Sequence, residues 1–514
     1  MNKQVNAWLP FILLTLVGIC IFLTEKSDGG FIPGGFYSGV SVHGLTLSKN
    51  LMNSEHPLFI FAGRELQDGK IVYDAYNRFP VFPFLLTGLI INLFEYDLSL
   101  QIYLARQLMN VFFFLSIIVA FKLVTELVKN RYLAISVVLI TFSSYYMLTY
   151  NNLIFNDIPA LLGFVVALYA VIKSKQEKLK IPYILFYSIF PISMGWQPYA
   201  VYGTWFLIDA LSLVLSAEKT SLRDKLSNLF RQPSFIITLL AITWGVIILG
   251  MQLLNEWRIV GGSFTDLPSV SSALWRSGLS TAAGHTQFIW LFDWLNYLPA
   301  QAQAITVMLI PFWPVFQVDP GINASIFVVI SLMIYTLLRY LKDRSSVNKV
   351  HLILIFSGLP WAIVMKQFVA MHEFQSIFFI GLTVSVYIKL LSRINLQSWN
   401  LLAINITVAF LIAVSLANYY KTPHTGMNLL ADQFKPISNQ LPENSKIFFD
   451  ADRKQMKGFS RYAIDLFLTG CLFTEQDQAE YVISKDPDFG GEKLTNNSEF
   501  NLFKVSVSTS TFQK

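Results

Sequence analysis

Apolar runs of about 17 to 22 residues recur along the chain between short polar segments, the length that a helix needs to cross a hydrocarbon core of roughly 30 Å. They fall near 8–23, 103–125, 132–150, 158–173, 181–196, 199–216, 234–254, 323–341, 351–366, 375–391 and 400–418. Two further apolar stretches fit interfacial or re-entrant helices better than crossings. One, within 81–96, is short and carries Pro83 near its start; the other, 299–317, is broken by Pro311 and Pro314. Within the polar stretch after the first run, HGLTLSKNLM has apolar residues at helical spacing and predicts a short helix lying on the membrane surface. After about Tyr419 the pattern changes to the alternation of strands in KIFFDA, YVISK and FKVSVS, around a helix-like FSRYAIDLFL.

Charge orients these runs. Lys3 precedes the first, which lacks a small-residue cleavage site and reads as an uncleaved signal-anchor. Basic clusters follow at Lys122, Lys129 and Arg131, at Lys173 to Lys180, at Lys219 to Arg231, at Arg339 to Lys349, and at Lys389 and Arg393. Positive residues mark cytoplasmic loops, and all these clusters lie inside only if 81–96 and 299–317 do not cross. The expected fold is an α-helical polytopic membrane protein of about 11 spans with interfacial helices in its external loops. Residues 1–418 form the membrane domain, with an external first loop at 24–102 and another external loop at 255–322. Residues 419–514 form a small extracytoplasmic α/β domain. The amino terminus is cytoplasmic, and the expected location is a bacterial inner membrane.

Composition agrees: 54% of the 514 residues are hydrophobic and only 14% charged. The net charge of +6 sits in loop clusters, so a nucleic-acid partner is not expected. Cys20 and Cys471 make no disulfide framework. Zinc-spaced Cys/His sets, Gly-rich phosphate loops and nucleophile elbows are all missing, which leaves soluble nucleotide chemistry unsupported.

On this topology the outer face collects acids, bases and cations beside lipid: Asp28, His43, Arg64, Arg78, Arg106, Asn156, Asp157, Arg258, Arg276, His372 and Glu373. Guanidinium groups recognise phosphate through a planar fork of donors, so Arg78, Arg106, Arg258 and Arg276 suit a lipid phosphate. For any one arginine, snorkelling to the headgroups is an equal reading. Asp157, in NNLIFNDIPALLG, could take a proton from an acceptor hydroxyl or hold a divalent cation, with His43 as its companion. An aspartate just before a span is also a good helix start. Asp209, inside the run 199–216, needs a partner in the bundle and reads as structural. The aromatic residues of 257–313 form an interfacial belt or line a groove for an isoprenoid chain.

The arrangement resembles the GT-C integral-membrane glycosyltransferases, in particular the branch with the lipid A aminoarabinose transferase and the protein O-mannosyltransferases. The resemblance rests on Arg78 and Pro80 in YNRFPVFPFLL, Arg106 in YLARQLMN, Asp157 in LIFNDIPALLG and the external HEF at 372–374. It implies transfer of a sugar from a polyprenyl-phosphate donor to a lipid, glycan or protein acceptor in the cell envelope. Asp157 and His43 would be catalytic; Arg78, Arg106, Arg258 and Arg276 would hold the donor phosphate; and Asp28, Asn156, His372 and Glu373 would support them. The residues leave the metal requirement open, a divalent ion on Asp157 and His43 being the cofactor they allow. One departure is clear: where the family has an Asp-Glu pair before the surface helix, this chain has GVSVHG, with Ser41 and His43. Either His43 replaces the acid, Asp28 folds back, or the mechanism differs. A lipid-linked polysaccharide polymerase or ligase is the alternative, and a transporter a weaker one, for which the expected inverted repeats are not seen.

Overall fold

A computed structural model describes residues 3–23, 36–93, 98–176, 180–215, 221–277, 294–311, 321–366, 369, 372–394, 398–419, 434, 436–442, 444–450, 468, 471–486, 489, 491–495 and 500–505. The apolar runs are helices. In order they are α1 (Lys3–Leu23), α2 (Phe36–Met52), α3 (Phe82–Asn92), α4 (Leu98–Val128), α5 (Arg131–Phe142), α6 (Tyr145–Thr149), α7 (Asp157–Gln176), α8 (Ile181–Met194) and α9 (Pro198–Val214). There follow α10 (Leu222–Phe230), α11 (Pro233–Val260), α12 (Pro268–Arg276), α13 (Trp294–Met308), α14 (Ile322–Lys342), α15 (Ser346–Phe356), α16 (Leu359–Val364), α17 (Ile380–Arg393) and α18 (Ser398–Tyr419).

Six helical segments among the described residues are long and apolar enough to cross a membrane: 100–128, 157–174, 233–260, 322–342, 346–364 and 375–393. Five shorter apolar helices accompany them. At 1.5 Å per residue the 11 residues of α3 extend only about 16 Å, half a hydrocarbon core. The run 132–150 is divided: α5 stops at Phe142 and α6 begins after Ser143 and Ser144. The run 351–366 also breaks, at Ser357 and Gly358, where a Cβ on the glycine would stand 2.7 Å from the Phe378 carbonyl oxygen. Asp209 finds its partner in Lys349, as an ion pair.

The helix expected on the membrane surface exists as α2 but is buried in protein. Leu45 and Leu47 are wholly covered, and so are the polar Thr46 and Ser48, whose hydroxyls donate back to carbonyls one turn earlier. The cover comes from α3 and from residues 153–155. Gly44 permits that second contact, since a Cβ there would fall 2.0 Å from the Ile154 carbonyl oxygen.

One sheet runs in the order β2-β1-β4-β3-β5-β7-β6. Five of its strands are C-terminal: β3 (Lys446–Phe449), β4 (Leu472–Phe473), β5 (Tyr481–Ser484), β6 (Glu492–Lys493) and β7 (Asn501–Lys504). The helix-like 459–468 lies outside the described residues except for Leu468. The other two strands, β1 (Phe61–Gln67) and β2 (Lys70–Ala75), are a hairpin of the first loop, turning on Asp68 and Gly69 at φ 50° and 73°. β1 pairs in parallel with β4 through Glu65 and Phe473, and Arg64 Nη2 donates to Asn444 Oδ1 at 3.3 Å. The first loop and the C-terminal segment therefore occupy the same end of the molecule.

Candidate functional site

Just past the hairpin, Tyr76, Asn77 and Arg78 enter the gap between α2 and the helix ends of the bundle. Three side chains, two of them buried and Trp196 half-buried, anchor this segment from outside it. Trp196 Nε1 donates to the Arg78 carbonyl at 3.0 Å, Gln252 Nε2 donates to the Phe79 carbonyl at 3.1 Å, and Asn77 Nδ2 donates to Glu256 Oε2 at 3.1 Å. The other Glu256 oxygen accepts from the Ser269 backbone N–H at 2.9 Å, in the first turn of α12. A carboxylate there satisfies an orphan donor and suits the positive helix end. Glu256 thus joins the loop carrying Arg78 to the helix that ends on Arg276.

Tyr76 is the hub. The Arg78 guanidinium lies 4.3 Å over its ring, the His43 ring meets it edge-on at 4.6 Å, and Arg276 Nη2 donates to its hydroxyl at 3.3 Å. Arg276 also lies 5.0 Å over Phe79. Phe155 stacks on His43 at 6.4 Å and meets Phe79 edge-on at 5.3 Å.

Asp157 opens α7, where a carboxylate complements the helix dipole, and it is fully buried. Its Oδ1 accepts from Gln375 Nε2 at 2.6 Å, and Gln375 Oε1 accepts from Trp361 Nε1 at 2.9 Å. Asp157 Oδ2 has no hydrogen-bond partner among the described residues, and neither do the two amide atoms of the adjacent Asn156 or of Gln197, all buried. Arg276 interacts electrostatically with Asp157, with Arg78 and with His372. Burial holds the Arg276 guanidinium below its ordinary value, with Arg78 adding to the effect. Burial, and then Arg276, push the His372 imidazole down to about 4, so it is neutral near pH 7.

The structure therefore brings together His43, Arg78, Asp157, Arg276 and His372. Arg106 is buried in α4, four residues before Asn110, whose Oδ1 lies 3.5 Å from Asn151 Nδ2. Arg258 is exposed on the last turn of α11 and is not drawn into the cluster, and Arg64 serves the sheet instead. Asp28 and the Glu373 side chain lie outside the described residues. Sequence reasoning passed over Tyr76, Gln375 and Glu256, and also Lys366, a buried cation 5.8 Å from the Tyr297 ring. Among the described residues no three His, Cys, Asp or Glu side chains gather as metal ligands.

No family model and no curated protein matches the chain. Solved structures do. The oligosaccharyltransferase of Archaeoglobus fulgidus, tethered to an acceptor peptide containing the NVT sequon, aligns over 94% of this chain and 70% of its own, at 13% identity and a TM-score of 0.53. The same archaeal enzyme in complex with an inhibitory peptide and a dolichol-phosphate aligns over 93% and 70%, at 12% identity and a TM-score of 0.52. ArnT from Cupriavidus metallidurans, bound to undecaprenyl phosphate, covers 98% and 99% at 11% identity and a TM-score of 0.47. The chain thus shares the fold of the archaeal oligosaccharyltransferase, a GT-C fold.

Proposed function

We propose that the chain transfers a sugar from a polyprenyl-phosphate donor to a hydroxyl acceptor at the extracytoplasmic face. The observation that carries this reading is the placement of two guanidinium groups, Arg78 and Arg276, close enough to repel one another beside a buried carboxylate. Two neighbouring guanidinium groups present forks of donors that match the oxygens of a phosphate, and a lipid phosphate meets them while leaving its chain in the membrane. The archaeal oligosaccharyltransferase that shares the fold is known in complex with a dolichol-phosphate, which agrees with a donor of this class.

In this mechanism the acceptor hydroxyl attacks the anomeric carbon while the bond from that carbon to the phosphate oxygen breaks. The hydroxyl proton passes to Asp157 Oδ2, the atom left open by the Gln375 bond. The lipid phosphate leaves with the bonding pair and meets Arg78 and Arg276, already in place to stabilise the developing charge. Asn156 and Gln197 offer amide groups to sugar hydroxyls. The external placement rests on reading the basic clusters as cytoplasmic.

Asp157→Asn keeps the shape and the acceptor for Gln375 but loses the base. In cells lacking the gene, complementation with Asp157→Asn should leave the cell-envelope glycolipids and glycoproteins in the null pattern by mass spectrometry. Protein level and thermal transition should be unchanged, and activity should fall by about 100-fold or more. A variant that restores the wild-type pattern would overturn the assignment.

A further inference from the structure

At the opposite end of the bundle, α1, α4, the start of α5 and α7 surround a cavity of about 440 Å³. Its walls are apolar, with Phe11, Leu14, Phe114 and Phe121 prominent, and its lining ends on Lys122 and Arg131. Phe11 meets Phe121 edge-on at 6.0 Å. The volume lies within the range of ligand pockets, roughly 300–1,000 Å³. Phe11, Ile12 and Leu16 are each about half exposed on α1, so this flank faces lipid. Trp8, 66% exposed and 6.2 Å from Phe11, sits one turn nearer the helix start, as an aromatic residue at headgroup depth does.

The charge at the mouth is unbalanced. Glu126, the carboxylate in the lining, is engaged twice, by Lys129 at 2.9 Å and Lys173 at 3.3 Å. Lys122 and Arg131 are exposed and have no ion pair among the described residues. Two cations at the rim of an apolar cavity, at the depth of a membrane interface, match one amphiphile.

We propose that this cavity binds an anionic phospholipid, with one acyl chain against Phe11, Phe114 and Phe121 and the phosphate held by Lys122 and Arg131. A zwitterionic headgroup brings its own cation to the same rim and is disfavoured. Each basic residue near a membrane surface contributes about a fivefold preference for an anionic lipid, so the pair should give roughly 25-fold. The site shares no residue with the glycosyl-transfer reading and stands if that reading fails.

The test uses the full chain in phosphatidylcholine nanodiscs with and without phosphatidylglycerol, with lipids retained after gentle extraction read by native mass spectrometry. Wild type should retain phosphatidylglycerol over phosphatidylcholine. The double variant Lys122→Gln/Arg131→Gln should lose that preference with an unchanged thermal transition in pure phosphatidylcholine. Thr15→Trp, which fills the cavity and keeps the cations, should lose the retained lipid as well. Equal retention of the two lipids by wild type, undiminished retention by either variant, or displacement by inorganic phosphate would each overturn the proposal.

Discussion

Tyr76 shows how a residue with no charge can organise a charged site. Its ring face takes Arg78, its edge takes His43, and its hydroxyl takes Arg276. Tyr76→Phe deletes one hydrogen bond to a charged group and should weaken binding of a polyprenyl phosphate by about 1.5–3 kcal/mol. Tyr76→Leu also deletes the face under Arg78 and should weaken it further. Equal affinities for wild type and Tyr76→Leu would remove the hub. His372 acts through pH instead. Above about pH 6.5 its ring is neutral whether the chain is folded or not, so it contributes no slope. Between pH 6.5 and about 4 the unfolded chain takes up a proton that the folded one refuses, and stability falls as pH falls. The loss reaches at most about 3 kcal/mol near pH 4 and below. In His372→Asn the drop in thermal midpoint between pH 7 and pH 5 should be smaller than in wild type.

At the scale of elements, Glu256 couples two that are far apart in sequence, the loop strand end at Asn77 and the start of α12. Glu256→Ala unties both and leaves two donors unsatisfied, so it should destabilise the protein by about 2–4 kcal/mol. It should also weaken polyprenyl-phosphate binding, because Arg78 and Arg276 lose their common anchor. A variant with normal binding would show that the two arginines are held by other means. The long helices α4, α11 and α14 were legible in the sequence because apolar length alone specifies them. The breaks in 132–150 and 351–366 were not, since Ser143, Ser144 and Gly358 stop helices only in company with neighbours such as Phe378. The hairpin had a readable signal in Asp68-Gly69, a two-residue turn between β-formers, but a long polar loop hid it. α2 read as amphipathic because its covering layer comes from other parts of the chain. The cations and the acid of the site could be collected from the sequence, whereas Gln375 meets Asp157 from 218 residues away, a pairing no local pattern encodes.

For the whole molecule, the decisive feature is the sheet that joins the first loop to the C-terminal segment. It places both on one side of the membrane, and cysteine chemistry can check it. In a Cys20→Ser/Cys471→Ser background, Glu65→Cys and Phe473→Cys place two thiols on paired strands, close enough to bridge. Oxidation should yield one intramolecular disulfide, seen as a reducible shift in mobility. A chain that stays unlinked, or links only between molecules, would break the β1–β4 pairing and the shared sidedness with it.

That pairing also sets a timetable. Glu65 waits for a partner about 400 residues downstream, and at roughly 5–20 residues per second the ribosome needs on the order of 20 to 80 s to supply it. Until then the hairpin is an open edge, a liability for misassembly. It shows the edge in Arg64, Glu65, Asp68 and Lys70, charged residues of the kind that keep an unpaired strand from joining a stranger. The loop that delivers Tyr76 and Arg78 is therefore completed last, so a chain stalled before its C-terminal strands would be inserted in the membrane yet still unfinished at the end that carries this loop.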